Sequence, residues 1–381
     1  MKFILIGNYP PDKQESMLRF TQMLHHGFLE AGLESEIWQP GIFFGRWAKS
    51  PNAGLGKWLG YLDKWLIFKM VLFIRVRRKA YRGGNIRFHV CDHSNAPYLA
   101  NLPVCKTSIT CHDVLAIRGA LGYADAFCPA SRTGRLLQKW ILSHLLKARL
   151  LAADTKQTLL QLEELQKADK FQNKWRVIHI AFNAEFKRLD KTSAMKLLDS
   201  TPVPPGCRYL LQVGSGITRK NRKLIIDMVA ILGKQFEGFI CFAGEAADQE
   251  LLKYAGLKKL EDRIISISKP DHQTLLALYS NCDTLIFPSF SEGFGWPVIE
   301  GQACGAPVIA SSFEPMPEVS GGAAIHADPC KAEEFAAAWL ALKNIAFKNE
   351  LIQKGFANAR RFQSREMIDR YLELHDIERV N

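Results

Sequence analysis

The chain has 381 residues, 48% of them hydrophobic and 23% charged, with a formal net charge of +12 at pH 7. This composition excludes a disordered or low-complexity chain, and the length allows two cores of common domain size. The longest apolar run, Trp65 to Ile74, is broken by Lys69 and falls well short of the roughly 20 residues that span a bilayer, so no transmembrane helix is expected.

The opening Met1-Lys2-Phe3-Ile4-Leu5-Ile6-Gly7 is too short an apolar run for a signal peptide and reads as a first β-strand. Further strands are predicted at Ser35–Trp38, Arg87–Cys91, Thr107–Thr110, Leu150–Ala153 and Arg176–His179. Helices are predicted at Glu15–Ala31, Lys57–Lys79, Arg135–Lys147 and Thr158–Gln166. Asp199 to Gly206 has the proline and glycine density of a linker, because proline blocks helix continuation and removes ladder donors. Beyond it, strands at Tyr209–Val213, Gly238–Ala243, Ile264–Ile267, Thr284–Pro288 and Pro307–Ala310 alternate with helices at Arg222–Leu232, Ala247–Tyr254, His272–Tyr279 and Trp296–Cys304. After Pro329 the pattern is helical, at Ala332–Lys343, Glu350–Phe362 and Met367–Asp376. Strands alternating with helices in both halves predict two α/β domains, each a parallel sheet wound on both faces. The expected division is 1–198 and 199–362, with a C-terminal helix in 363–381 returning to the first domain.

Residues 1–200 hold 30 Lys and Arg against 16 Asp and Glu, so the whole positive excess lies in the first half. Such asymmetry points to an anionic partner. Lys57 to Arg82 carries eight basic residues against Asp63, interleaved with Trp58, Trp65, Phe68 and Phe73, the composition of a helix lying in an anionic membrane surface. The alternative is a core helix with a solvated basic side. No nucleic-acid-binding motif is recognisable, and nucleic acid is not an expected partner. Nine cysteines, an odd number with no Cys-x-x-Cys pair, fit a reducing, cytoplasmic compartment, peripheral to the inner face of the membrane if the basic stretch binds lipid.

Phe287-Pro-Ser-Phe-Ser-Glu292-Gly-Phe-Gly-Trp296-Pro-Val-Ile-Glu300 reads as strand, glycine turn and helix. In open α/β sheets ligands bind at the carboxyl ends of strands. Backbone N–H groups at Gly293, Phe294 and Gly295, beside a helix start, suit phosphate or sugar oxygens. Glu292 precedes the helix and Glu300 lies within it, so one carboxylate can reach a reacting sugar while the other accepts from ribose hydroxyls.

This segment reproduces the Glu-x7-Glu signature and resembles the family-4 retaining glycosyltransferases of the GT-B fold. Cys304-Gly-Ala-Pro-Val-Ile-Ala-Ser311 and Pro317-Glu-Val-Ser-Gly-Gly-Ala-Ala324 are similar to the same family. Leu211-Gln-Val-Gly214-Ser215-Gly-Ile-Thr-Arg219-Lys220-Asn221 resembles its strand-loop-helix in which a basic pair holds the nucleotide diphosphate; Ser215 stands where an arginine often does. Ile264 to Leu275 resembles the stretch whose backbone recognises the base, with Ser268 in place of the usual glycine and Pro270 in place of an aliphatic residue. Ser108 to Val114 resembles the strand ending in His-Asp, which implies that His112 faces the donor sugar.

The resemblance implies two Rossmann-like domains facing each other across a cleft and transfer of a hexose from a UDP- or GDP-linked sugar, with retention, to a glycan, glycolipid or other hydroxyl acceptor. Glu292, His112 and Lys220 are the expected catalytic residues. Gly214, Ser215, Arg219, Lys220, Ser268, Glu292, Gly293, Phe294, Gly295, Trp296 and Glu300 are expected on the donor, and Gly7, Asn8 and His93 on the acceptor side. No cofactor is expected. No two aspartates are separated by a single residue, so metal-independent activity is predicted. The competing reading is a non-catalytic nucleotide-sugar-binding or membrane-surface scaffold that keeps the fold. A nicotinamide dehydrogenase is disfavoured by the missing Gly-x-Gly-x-x-Gly.

Overall fold

The computed structural model describes residues 1–47, 54–166 and 174–377. Residues 378–381 of the expected C-terminal helical segment lie outside the described residues. Two compact units emerge: the first comprises Met1–Tyr123, Cys128–Asn183 and Gln363–Asn381, and the second Ala124–Phe127 and Ala184–Phe362.

In the first unit β1 (Lys2–Ile6), β2 (Glu34–Trp38), β3 (Ile86–Val90), β4 (Thr107–Cys111), β5 (Leu150–Ala153) and β6 (Lys174–Val177) form one parallel sheet, ordered β2-β1-β3-β4-β5-β6. The chain moves outward from β1 to β2 and then crosses to β3, so the winding reverses between β1 and β3. Its helices are α1 (Glu15–Glu30), α2 (Gly54–Leu62), α3 (Phe68–Val76), α4 (Leu115–Leu121), α5 (Arg132–Leu145) and α6 (Lys156–Leu165). Side-chain oxygens of Ser131 and Thr155 start α5 and α6 by accepting from the N–H groups of Gly134 and Thr158, each at 3.2 Å.

The predicted helix Lys57–Lys79 is in fact α2 and α3 joined by one π turn, Asp63–Ile67, and it ends at Val76. Asp63 is the first residue of that turn. Its fully buried carboxylate accepts from the Tyr9 hydroxyl at 2.8 Å and from the backbone N–H groups of Phe43, Phe44 and Gly45 at 3.1, 2.9 and 2.9 Å. The wider turn separates inward positions Asp63 and Phe68 by five residues, so that Phe68, Leu72 and Val76 still face the core.

The second unit opens with α7 (Lys191–Leu198), upstream of the Asp199–Gly206 segment read as a linker. Asp190 caps it by accepting from Ser193 N–H at 2.9 Å, and Leu189 N–H donates to Ser280 Oγ at 3.0 Å, which ties the approach to α7 to this unit. Six parallel strands follow: β7 (Tyr209–Gly214), β8 (Phe239–Gly244), β9 (Ile264–Ser268), β10 (Thr284–Phe287), β11 (Val308–Ser311) and β12 (Ile325–Ala327), ordered β12-β11-β10-β7-β8-β9. The sixth strand is absent from the sequence reading; three residues are too few to show a period. Here the winding reverses between β7 and β10. Alternate side chains serve two cores: Tyr209, Leu211 and Val213 point to one, Leu210 to the other. The helices are α8 (Arg222–Leu232), α9 (Gln249–Leu257), α10 (His272–Asn281), α11 (Trp296–Ala303), α12 (Met316–Ser320), α13 (Ala332–Ala341) and α14 (Ile345–Ala359).

The chain then rejoins the first unit as α15 (Ser364–Leu374). Met367, Ile368, Tyr371, Leu372 and Leu374 are buried. A Cβ on Gly27 of α1 would stand 2.5 Å from Ile368, so glycine is what lets the two helices close. Below them runs a hydrogen-bonded chain of buried polar groups: His375 Nε2 to Ser108 Oγ (2.7 Å), Ser108 to His89 Nδ1 (2.7 Å), His89 Nε2 to Thr110 Oγ1 (3.0 Å) and Thr110 to the Tyr371 hydroxyl (2.7 Å).

Candidate active site

In the second unit the loops leaving β7 and β10 meet where the winding reverses, the place at which open α/β sheets bind ligands. The loop after β7 makes a short 3-10 turn, Thr218–Lys220, and Asn221 then adopts a left-handed conformation with φ 52°. Asn221 holds that turn through its side-chain amide, which donates to Pro288 O at 3.2 Å and Pro329 O at 2.7 Å. Phe290 N–H donates to Arg219 O at 2.9 Å, stitching the two loops together.

This places Arg219 and Lys220 on opposite oxygens of Glu292: Arg219 Nη1 lies 2.6 Å from Oε2 and Lys220 Nζ 2.6 Å from Oε1. Arg219 also donates to Ser291 O at 2.7 Å. Burial opposes ionisation of Glu292, but the charges of Lys220 and Arg219 outweigh it and hold the carboxyl below its usual range. Lys220 is shifted down, first by burial and partly by repulsion from Arg219, with Glu292 opposing. A Cβ on Gly214, whose φ is 135°, would stand 3.7 Å from the Lys220 ammonium, so β7 ends directly against it. Ser215 follows at once on this loop.

Arg222 fixes the base of the loop from below. It is buried and donates to Gln212 Oε1 (3.1 Å), Gly214 O (2.8 Å), Glu245 O (2.9 Å) and Ala246 O (3.2 Å), joining the ends of β7 and β8. A cavity of about 330 Å³ lies beside it, lined by Gly216, Thr218, Asn221, Arg222 and Phe290 among others.

Past Glu292 the chain runs through Gly293 and the buried Phe294 to Gly295, which caps α11 with φ 101°. That dihedral favours glycine, and a Cβ there would also press on the tip of Met316, 2.5 Å from its Cε. Trp296 begins α11. Glu300, one turn from its end, is buried and accepts from the Tyr279 hydroxyl at 2.7 Å. Ser268 is exposed at the end of edge strand β9, with β8 between it and β7.

The first unit gathers its own set at the carboxyl ends of β1, β3, β4 and β5. Cys111 and Ala153 are paired in register, so the residues that follow them, His112 and Asp154, are neighbours. His112 Nδ1 meets Asp154 Oδ2 at 2.7 Å and Nε2–H donates to Cys91 O at 2.9 Å. Burial disfavours its charge, but Asp154 prevails and raises the imidazole to about 9. The Asp154 carboxylate thus favours the charged imidazole, and both ring nitrogens face partners in their own unit. Asn8 donates to Asp92 and Gln14 and accepts from Asn95 at 2.9 Å. His93 Nδ1 lies 3.4 Å from Asp92 Oδ1, and Gly7 N–H donates to Trp38 O at 2.8 Å.

Arg219, Lys220 and Glu292 are thus brought into direct contact, Glu300 is held on the adjoining helix, and Gly7, Asn8, His93 and His112 line the equivalent edge of the other sheet. Tyr279, Arg222, Asp92 and Asp154 escape the sequence reading. Asp92 and Asp154 carry a signal there: each is the charged residue directly after a predicted strand, Arg87–Cys91 and Leu150–Ala153.

Residues 196–356 match the family model described as Glycosyl transferases group 1. The O-antigen chain mannosyltransferase B of Escherichia coli is 37% identical over 94 residues, which are 24% of this chain and 24% of that protein. The chain therefore spans about a quarter of that curated relative in the match. Sucrose-phosphate synthase from Thermosynechococcus elongatus superposes with a TM-score of 0.74 at 18% identity, covering 99% of this chain and 98% of the other. Anabaena HepE, in complex with UDP and glucose, superposes with a TM-score of 0.68 at 15% identity over 98% of both chains. The fold is GT-B, two doubly wound α/β units. The family model and the curated relative liken this chain to glycosyltransferases.

Proposed function

We propose that the protein transfers a hexose from a UDP- or GDP-linked sugar to a hydroxyl acceptor, a glycan or glycolipid, with retention of configuration, as in the family-4 glycosyltransferases it resembles. The observation that carries this reading is the Arg219–Glu292–Lys220 contact at the winding reversal of the second sheet, with Glu300 on the helix that follows. A donor diphosphate draws on the same two cations. Negative charge on the departing phosphate grows in the transition state, so their stabilisation is greatest there. Glu300, steadied by Tyr279, accepts from the ribose hydroxyls, and the backbone from Gly293 to Trp296 meets the sugar. Gly214 and Ser215 flank the diphosphate, and Ser268 belongs with the base.

In this reading the anomeric carbon–phosphate oxygen bond breaks while the acceptor oxygen bonds to the same face, and the acceptor proton passes to the departing phosphate. Glu292 orients the sugar, and His112 contributes a fixed positive charge. Gly7, Asn8 and His93 serve the acceptor side. The charge needed at the leaving group comes from Arg219 and Lys220, and transfer proceeds without a metal ion. The likeness to an O-antigen mannosyltransferase favours mannose as the hexose and a polysaccharide product. Nine free thiols fit action on the cytoplasmic side of the membrane.

The test is release of nucleoside diphosphate from a panel of UDP- and GDP-sugars, with and without acceptor glycans. Turnover with one donor, lost in Glu292→Ala, supports the proposal. A Glu292→Ala variant as active as wild type sinks it, and donor binding without transfer favours the scaffold reading.

A further inference from the structure

The composition of Lys57–Arg82 predicts a helix that presents its charges to solvent or to a membrane. The structure gives its outward face a different character. One side of the α2–α3 helix is spent on its own unit: Phe68, Leu72 and Val76 join the core, and Asp63 anchors the 43–45 loop. The opposite side carries Trp58, Leu62, Leu66, Met70, Phe73 and Ile74, spaced mostly three or four residues apart and all exposed, Trp58 at 57% and Met70 at 56%. A helix apolar on both sides is ordinarily buried on both. A contiguous apolar stripe of this kind marks a docking surface.

The exposed charges lie at the ends of that stripe, while Lys64, Lys69 and Arg75 within its span are half-buried. Lys57 is exposed at one end; Arg77, Arg78, Lys79 and Arg82 are exposed at the other. Arg77 folds back so that its guanidinium stands 3.3 Å from the centre of the Phe73 ring, which joins the cationic end to the apolar row. The long stems of these residues suit a position at the boundary between hydrocarbon and headgroups.

We propose that the face Trp58–Ile74 docks onto an anionic lipid surface, with Leu62, Leu66 and Met70 entering the acyl boundary and Arg77 to Arg82 meeting the headgroups. The helix lies in the interface and does not cross it, because its other side is committed to the core of its unit. Charge selects this partner: a second copy of the same chain would bring the same cations against themselves, whereas anionic headgroups complement them. The inference is independent of the glycosyl-transfer reading.

The experiment is flotation of the full chain with phosphatidylcholine vesicles, with and without phosphatidylglycerol, across a salt series. Wild type floats with the anionic vesicles at low salt and is released as salt rises. Leu66→Glu/Met70→Glu lowers flotation by about tenfold or more. Arg78→Gln/Lys79→Gln lowers it by about the same factor, because each substitution removes one basic side chain from the headgroup layer. Both pairs are exposed, so unchanged melting temperatures certify the fold. Absence of flotation at low salt, equal flotation with neutral vesicles, or equal flotation of the Glu variant overturns the proposal. Sedimentation showing a self-associated form that the Glu variant abolishes, without flotation, assigns the face to a second copy and likewise overturns it.

Discussion

Lys220 and Glu292, 72 residues apart in sequence, meet at 2.6 Å between Nζ and Oε1 in a setting where neither side chain is more than 10% exposed. Removing one charge leaves the other buried and less compensated, at a cost of about 3–5 kcal/mol when no other partner takes over. Arg219 also touches Glu292, so Lys220→Met should cost less than Glu292→Gln, which strands two cations. Urea unfolding of both singles and the double variant checks this order; the double should recover part of the loss. Turnover should fall about 100- to 1,000-fold in each, because the charge at the leaving group is what is lost. An active Lys220→Met would remove this residue from the chemistry.

Tyr279→Phe deletes a hydrogen bond to a buried carboxylate while keeping the ring. Stability should fall by about 1.5–3 kcal/mol. Because Glu300 loses a restraint on its position, affinity for UDP or GDP should weaken more than turnover at saturating donor changes. Calorimetric titration with the free nucleotides, set beside kcat and KM, separates the two. A variant with wild-type nucleotide affinity would show that Tyr279 is structural only.

Acid sensitivity follows from His375. Burial lowers its imidazole from 6.5 to about 3, so the folded chain holds it neutral while the unfolded chain protonates it. Stability is complete above pH 6.5 and is lost as pH falls below it; near pH 5 the loss from this group is about 2 kcal/mol. His89, also buried and shifted well down, adds to the same slope. Urea midpoints measured from pH 7 to 5 should fall for wild type and flatten for His375→Asn.

His112 acts in the other direction. Its folded value, raised to about 9, lies above the unfolded 6.5, so its contribution is complete below pH 6.5 and is lost as pH climbs through about 9. Between pH 7 and 10 the wild-type midpoint should decline more than that of His112→Gln. Equal declines would mean that Asp154 does not hold a cation there.

Chelation is the direct check on the charge supplied by Arg219 and Lys220. Turnover should be unchanged in EDTA and should not rise on adding Mg²⁺ or Mn²⁺. A strict requirement for either ion would transfer the leaving-group role from these side chains to a metal.

Much of this architecture is written locally. The buried parallel strands are continuous apolar runs, and helix Arg222–Leu232 coincides with its sequence reading to the residue. His93–Asn101 escapes that reading because Pro97 sits within it, and Leu115–Leu121 because two turns are too short to establish a period. At the site, Arg219, Lys220 and Glu292 are legible from the spacing of charges around glycine turns. Tyr279 is not, since only the packing of α10 against α11 brings it to Glu300. The outward face of the basic helix is equally hidden. Counting charges over Lys57–Arg82 suggests a basic side, but between Trp58 and Val76 the exposed residues are all apolar.

The return of Ser364–Leu374 to the first unit has a consequence for biosynthesis. A ribosome delivers β1 to β6 first, yet Gly27, Ser108 and Thr110 receive their partners Ile368, His375 and Tyr371 only after the second unit has emerged. The second unit, built from Ala124–Phe127 and the unbroken Ala184–Phe362, has its complete sequence available earlier. Domains usually mature in the order of their synthesis. In this chain the order is inverted: the half begun first is completed only after the other, and its sheet waits, incompletely covered, until Ser364–Leu374 has been made.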